Sequence, residues 1–412
     1  MRIVLAYLRG LSPRLPASVW LLELGGMASM AGNGLVLPFL VIYLHDVRGL
    51  SLTMAGVATA ANYVASLPAG AIGGAWADRL GPRRVIVVAL LVQALAIACF
   101  PLIREAWHAI ALQLLMGLGN GIYWPAHSSM LSQLAPVERR PAAFSVQRMA
   151  MNLGIGVGAL AGGFIAVVEE PSTFTTLFLL DALSFVVFAL IMLWMPSPPP
   201  ACDDGEEPAS YAAVLRDRPF VALMLLNTMT IAAGIVPLVE FLPVYAKHGA
   251  GVTEEAIGWI FFANTMTIVL IQLPIARLLE GRRRMPALAA MAAIWAAMWL
   301  VVPLAVENMS AVPASIVLAI VAAILGMGEC LLGPVQGPLV ADLAGSSRLG
   351  RYMAISSMSW QLGFVIGPPI AGYVLDVWPV GLWIGLSAVC AMAAAGTMML
   401  ERSIPQALQV SP

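Results

Sequence analysis

Residues 74–84 read Gly74-Ala-Trp-Ala-Asp78-Arg79-Leu-Gly81-Pro82-Arg83-Arg84 and lie between two apolar runs, 53–77 and 85–103. A carboxylate at a helix end, a glycine that permits a tight turn and a basic pair opening the next helix make a short charged hinge between two membrane spans. The same alternation continues in both directions. Further apolar runs fall at 18–44, 108–134, 143–168, 174–195, 220–245, 255–279, 286–306, 312–341, 352–376 and 379–400. A bilayer core of about 30 Å needs about 20 apolar residues per helix, so the sequence predicts twelve spans, helices 1 to 12 in the order of these runs.

Composition agrees. The chain has 412 residues, 60% hydrophobic and 10% charged, with a mean hydropathy of +0.90. Soluble domains carry about 25% charge, so an ordinary soluble enzyme is excluded and the surrounding medium is a lipid bilayer. A net charge of −1 argues against nucleic acid as a partner. Cys99, Cys202, Cys330 and Cys390 show no CxxC spacing, which gives neither a thiolate zinc site nor a disulfide framework. Met1 to Pro16 carries Arg2, Arg9 and Arg14 without a cleavable signal layout and reads as a cytoplasmic lead-in.

An even number of spans places both termini on one side. Of the 21 basic residues, 16 fall on that side: Arg2, Arg9, Arg14, Arg79, Arg83, Arg84, Arg139, Arg140, Arg216, Arg218, Arg282, Arg283, Arg284, Arg348, Arg351 and Arg402. Only Arg48, Arg104 and Lys247 fall opposite, and Arg148 and Arg277 lie within runs. The positive-inside rule makes both termini cytoplasmic, in a bacterial inner membrane. The stretch Pro196 to Asp217, PSPPPACDDGEEPASYAAVLRD, is too polar to span or to bury a core. It divides the chain into residues 1–195, a cytoplasmic linker at 196–218, and residues 219–412.

The two parts are copies. A shift of 202 matches Phe39 to Phe241, Leu40 to Leu242, Tyr43 to Tyr245, Gly56 to Gly258 and Ala61-Asn62 to Ala263-Asn264. A shift of 209 matches Gly117 to Gly326, Gly119 to Gly328, Pro125 to Pro334, Arg139 to Arg348, Gly154 to Gly363, Gly158 to Gly367 and Gly163 to Gly372. Parallel six-helix repeats are the architecture of secondary transporters whose halves rock about a midplane site. The expected fold is all-α, with twelve transmembrane helices in two pseudo-symmetric six-helix bundles.

The hinge at Gly74, Asp78, Arg79, Gly81, Arg83 and Arg84 closely resembles the loop signature G-x-x-x-D-[RK]-x-G-[RK]-[RK] of the major facilitator superfamily, with departures at Trp76 and Pro82. The resemblance implies that Asp78 meets the positive N-terminal end of helix 11 and locks the cytoplasmic side. The second copy, Glu280 to Arg284, is degenerate. Helix 5 carries Gly154, Gly158, Gly162 and Gly163, whose spacing resembles the G-x-x-x-G-P-x-x-G-G motif of the drug:proton antiporters, with Ala159 in the proline position. Glycines four apart also let helices approach closely, so export and plain packing are both open readings. The antiporters' helix 4 Arg is replaced by Gln113, so any proton coupling must use other charges.

Intramembrane charges cost about 2.5–3.5 kcal/mol on insertion scales and mark function by default. The proton-coupling candidates are Glu23, Arg148, Glu240 and Glu329. Glu23 and Arg148 lie at equal depth, counted at about 1.5 Å per residue, which allows either a proton-releasable pair or a permanent bridge. Glu240 either lines the cavity or faces outside water with Lys247; Glu329 is either a carrier or a partner in a helix–helix hydrogen bond. Asp181 reads as structural. His127 has no His, Cys or carboxylate at i±3 or i±4, so no metal site is expected, and no cofactor.

Asn33, Asn62, Tyr63, Tyr123, Trp124, His127, Asn152, Asn227, Asn264, Gln336, Trp360 and Gln361 offer amide and aromatic faces to a cavity suited to adaptable, amphipathic ligands. Together these features predict a monomeric, proton-coupled exporter of hydrophobic small molecules. A major facilitator uptake or metabolite carrier is the alternative. No HExxH, GxSxG or P-loop supports a membrane enzyme.

Overall fold

The computed structural model describes residues 15–196, 214–344, 349–405 and 408–410. Most of the expected linker, and the N-terminal lead-in before Leu15, lie outside the described residues. Among those described the chain is all-helical, with long helices α1 (Ala17–Val47), α2 (Leu52–Leu80), α3 (Pro82–Leu102), α4 (Ala106–Leu134), α5 (Arg140–Ile165), α6 (Pro171–Trp194), α7 (Arg218–Ala250), α8 (Glu254–Leu279), α9 (Arg284–Asn308), α10 (Ala311–Ala344), α11 (Leu349–Val377) and α12 (Pro379–Leu400). Their starts follow local chemistry. Ser51 Oγ accepts from Met54 N at the head of α2 and Thr253 Oγ1 from Ala256 N at the head of α8, two caps related by the 202-residue repeat. Pro82, Pro171 and Pro379 open α3, α6 and α12, where a missing N–H costs nothing.

The duplication is written into the backbone. Among the described residues only Gly49, Gly81, Gly251 and Gly281 have positive φ, and they form two pairs, one at the α1–α2 and α7–α8 turns, the other at the α2–α3 and α8–α9 turns. At Phe39 and Phe241, matched by the repeat, the helical path is disturbed in the same way, with φ −107° and −113°. Gly117 packs on the carbonyl of Asn62, and Gly326, its repeat equivalent, on that of Asn264. A side chain at either glycine would push α2 from α4 or α8 from α10.

Nine of the twelve helices are long and apolar enough to cross a membrane by length and composition. The other three, α2, α4 and α11, are equally long but less apolar. They have a physical reason to be. The α2 helix packs on α4 within its half and on α11 across the seam, so protein rather than lipid covers much of its surface.

Across the seam α5 lies on α8 and α2 on α11. Gly56 on α2 approaches the Pro368 carbonyl of α11, while Gly258 on α8 approaches the Ala159 carbonyl of α5, with 2.8 Å to a Cβ built there. Gly372 meets Leu52 and Thr53; Gly163 meets Glu254 and Gly258. Each contact is the image of another under the repeat. All of these lie in the half of the membrane away from the ends of the chain, hereafter the far face; the opposite side is the terminal face.

Candidate functional site

Toward the far face, polar bonds join the halves. Asp376 of α11 accepts from Leu52 N (3.1 Å), Thr53 N (2.8 Å) and Thr53 Oγ1 (2.6 Å), so it caps the first turn of α2 from the other half. His248 of α7 reaches Asp46 of α1 at 2.8 Å. Deeper, the Thr59 hydroxyl of α2 donates to Glu240 of α7 at 2.8 Å. Glu240 is buried and sits on a π-helical turn, Pro237–Phe241. It does not face outside water: Lys247 pairs instead with Glu254 at 2.6 Å. Tyr63 stacks on Phe364 across the same seam, with ring centroids 4.5 Å apart.

At mid-depth the expected Glu23–Arg148 pair is not formed. Gln147 and Arg148 are one residue, hence about 100°, apart around α5. Gln147 faces α4 and gives its amide N–H to His127 Nδ1 at 2.7 Å. Arg148 points across the seam, beside Gly333 of α10 and Gln272 of α8, and acts electrostatically on Glu329. Rotation around the helix separates the two groups, whatever their depth. The Glu329 side chain has Asn264 as a second polar neighbour. Arg148 Nε and Gln272 Oε1 are buried without a hydrogen-bond partner, polar capacity left over on both sides of the seam.

Glu23 lies in the first half, 4.0 Å from His127. Glu23 Oε1 and His127 Nε2 are both buried and unpartnered. With Nδ1 accepting from Gln147, the imidazole proton sits on Nε2 and is directed at the carboxyl group. Between α1, α4 and α5 is a cavity of ≈ 10 Å³, about the smallest volume that holds one water, walled by Met27, Met30, Tyr123, Trp124 and Met151. One water there could bridge the two unpartnered atoms. Asp181 is fully buried on α6 against Gly32, with Ser184 beside it, a packing position between α1 and α6.

Several amides expected to line a cavity are bonded to neighbouring helices or to their own. Asn62 donates to Gln113 (3.0 Å), Asn227 to Ser359 (2.7 Å), Asn264 to the Ala322 carbonyl (2.9 Å), and Asn152 to the Arg148 carbonyl of its own helix (2.9 Å). Trp360 Nε1 lies 3.4 Å from Gln336 Oε1, leaving Gln336 Nε2 and Gln361 Oε1 unpartnered. Asn33 is half-buried on α1.

On the terminal face, Asp78, Arg79 and Arg84 are exposed, Gly74 is half-buried near Pro125, and Gly81 turns the chain at φ +83°. Arg83 donates to the Met195 carbonyl at the end of α6 (2.8 Å), as Arg283 pairs with Glu401 beyond α12 (2.7 Å). The segment that Asp78 is expected to meet, 345–348 before α11, lies outside the described residues. The α5 glycines divide in role: Gly154, Gly158 and Gly162 pack on the Met27, Ala31 and Leu35 carbonyls of α1, whereas Gly163 belongs to the seam. Thr59, Gln147, Gln272, Asp376 and the His45, Asp46 and His248 group were not singled out by the sequence. The repeat held a signal for the last, since Asp46 and His248 are 202 apart.

The family model described as Major Facilitator Superfamily matches residues 22–253 and 241–411. Similar curated proteins are named multidrug resistance protein MdtH: that of Cronobacter sakazakii is 27% identical over 364 residues, covering 87% of this chain and 86% of the relative. That of Shigella boydii is 25% identical over 366 residues, covering 87% and 86%. Among solved structures, a peptide transporter POT superposes with a TM-score of 0.78 at 16% identity, covering 96% of each chain. The nucleoside transporter NupG gives 0.77 at 12%, covering 93% of this chain and 99% of its own. At these identities the likeness concerns the fold.

Proposed function

The chain belongs to the major facilitator superfamily, and from that premise we propose a proton-coupled exporter of hydrophobic or amphipathic small molecules working by alternating access. In this reading residues 1–195 and 219–412 are two six-helix bundles, 196–218 is the linker, and the protein is a monomer of the bacterial inner membrane with both termini cytoplasmic. The terminal face is then the cytoplasmic one, and the seam described above is closed toward the outside.

The observation that carries the reading is Arg148. Its guanidinium crosses to α10 beside Gly333, one turn from Glu329, at mid-depth, where a charge is expensive. Protonating Glu329 removes a negative charge that Arg148 acts on across the seam and so alters the attraction between the halves. That is the coupling a proton-driven carrier needs. Glu23 with His127, and Glu240 with Thr59, are the other groups able to accept or release a proton, and Glu240 does so within a bond that must break when the far face opens. The multidrug names of the relatives support a broad ligand class, as do the methionines and aromatic rings around the Glu23 cavity.

A second reading is favoured by the packing of Gly154, Gly158 and Gly162 on α1, which accounts for most of the antiporter-like spacing without export. It makes the protein an uptake or metabolite carrier on the same scaffold. Transport into inverted vesicles under an imposed pH gradient, across dyes, antibiotics, sugars and lipids, decides between them. Export predicts accumulation of a dye or drug driven by an acid interior, and its loss in Glu329→Gln. Accumulation of a sugar or other metabolite by wild type in right-side-out vesicles alone would support uptake.

A further inference from the structure

At the far face the ends of α1 and α7 bring together His45, Asp46 and His248, and we propose that these residues form a binding site for a borderline divalent metal ion of the zinc class, shared between the two halves. One ligand atom from each lies within 4.8 Å of the others. Asp46 Oδ1 is 2.8 Å from His248 Nε2 and 4.0 Å from His45 Nε2. In a tetrahedral site with bonds of about 2.0–2.1 Å, donors stand about 3.3 Å apart, so changes in separation of up to about 1.5 Å, shared among the three side chains, would seat an ion. Two imidazoles and one carboxylate select Zn²⁺ and its first-row neighbours over Mg²⁺ or Ca²⁺, which take oxygen. The fourth position is left to water.

Three features go beyond proximity. His45 Nδ1 lies 2.7 Å from the Leu50 carbonyl, which can only accept, so Nδ1 carries the proton and the Nε2 lone pair is turned to the cluster. That backbone bond is how metal-bound histidines are usually held. Asp46 is 8% exposed at its side chain, and its Oδ2 is buried with no hydrogen-bond partner, an anionic oxygen without a donor. The histidines supply access: His248 is 52% and His45 32% exposed, so an ion reaches the site directly from the outer solution. The cations adjacent in sequence do not fill the role. Arg48 bonds Tyr43 Oη and the Pro101 carbonyl, and Lys247 bonds Glu254.

The location gives the consequence. Positions 202 apart face each other here across the pseudo-two-fold axis, with two ligands on the first half and one on the second. An ion held by all three ties the halves together and holds the far face closed.

The test uses the purified full chain and Zn²⁺ alone, with a competing zinc indicator, and requires no transport activity. We expect about one Zn²⁺ per chain, bound more than about tenfold more weakly by His248→Gln and by His45→Gln, since even loss of an outer hydrogen-bonding partner of a metal site costs 10–100-fold. The His108→Gln variant, on α4, should bind as wild type does. Zn²⁺ should also slow labelling of a cysteine placed at Thr53 in otherwise wild-type chain, and not in His248→Gln. Absence of binding, binding as tight as wild type in both histidine variants, or loss of binding only in His108→Gln would overturn the site. Binding with unchanged labelling at Thr53 would overturn the clamp, whatever the protein transports.

Discussion

At the far face the halves meet through backbone, glycine against carbonyl, and through a carboxylate that caps a helix of the opposite half; on the terminal face the hinge residues Asp78, Arg79 and Arg84 stand in solvent. The two ends are separated by Arg148, which crosses the seam at mid-depth. The contrast separates two devices. Close backbone contact needs small residues at fixed places and is all-or-none, whereas the charged hinge needs only a fitting partner at short range and can engage and release. In the proposed alternating-access reading a carrier that rocks about its midplane uses both kinds, one at each end.

The strongest way to break that contrast is to obstruct the backbone contact. Gly258→Val places Cβ 2.8 Å or less from the Ala159 carbonyl, and the obstacle is main chain, which cannot swing aside. Overpacking costs about 1–3 kcal/mol, here toward the upper end, so the far-closed population should fall by about 100-fold. Labelling of a cysteine at Thr53 would report it. Unchanged labelling would mean that the glycine seam carries no closure energy.

Next in size is the cap. Asp376→Asn retains shape but loses the anion that accepts from Leu52 N and Thr53 N, and a hydrogen bond to a charged group is worth about 1.5–3 kcal/mol. The same label should react roughly tenfold faster or more. Thr59→Val removes the hydroxyl that Glu240 accepts from, at about 1 kcal/mol, and a fewfold change is expected. A larger effect than that of Asp376→Asn would put the main latch at Glu240.

Smallest is Asp78→Asn. The carboxylate is exposed in this conformation, so far-face labelling should stay within about twofold. The effect belongs to the other state, where a charge at a helix N-terminus contributes about 0.3–1 kcal/mol. Slower protection of a terminal-face cysteine at Leu80 during turnover would show it.

The sequence made the scaffold legible because spans, hinge glycines and repeat are properties of order along the chain. Gly49 and Gly251 are 202 apart, where the repeat places them, and Gly81 and Gly281, 200 apart, close the equivalent α2–α3 and α8–α9 turns. Azimuth was not legible: one residue turns a side chain by about 100°, while helix edges read from hydropathy are uncertain by several residues. Hence Gln147, not Arg148, shares the Glu23 cavity. The hydrogen-bond partners of the amides were not legible for a related reason. Asn62 and Asn264 occupy sides of their helices that touch other helices, and their amides bond neighbours there. The proximity of His45, Asp46 and His248 was not legible either, because they come from two helices far apart in the chain.

The central claim is that the two ends of the seam open and close in opposition. It is tested most directly by paired spin labels in a background without the native cysteines. One pair, at Trp107 and Val312, spans the far face from exposed helix starts; the other, at Leu80 and Leu278, spans the terminal face from exposed helix ends. On adding a transported dye or drug and a proton gradient, the first distance should lengthen as the second shortens, in the same fraction of molecules. Distances that stay fixed, or lengthen together at both faces, would contradict the account.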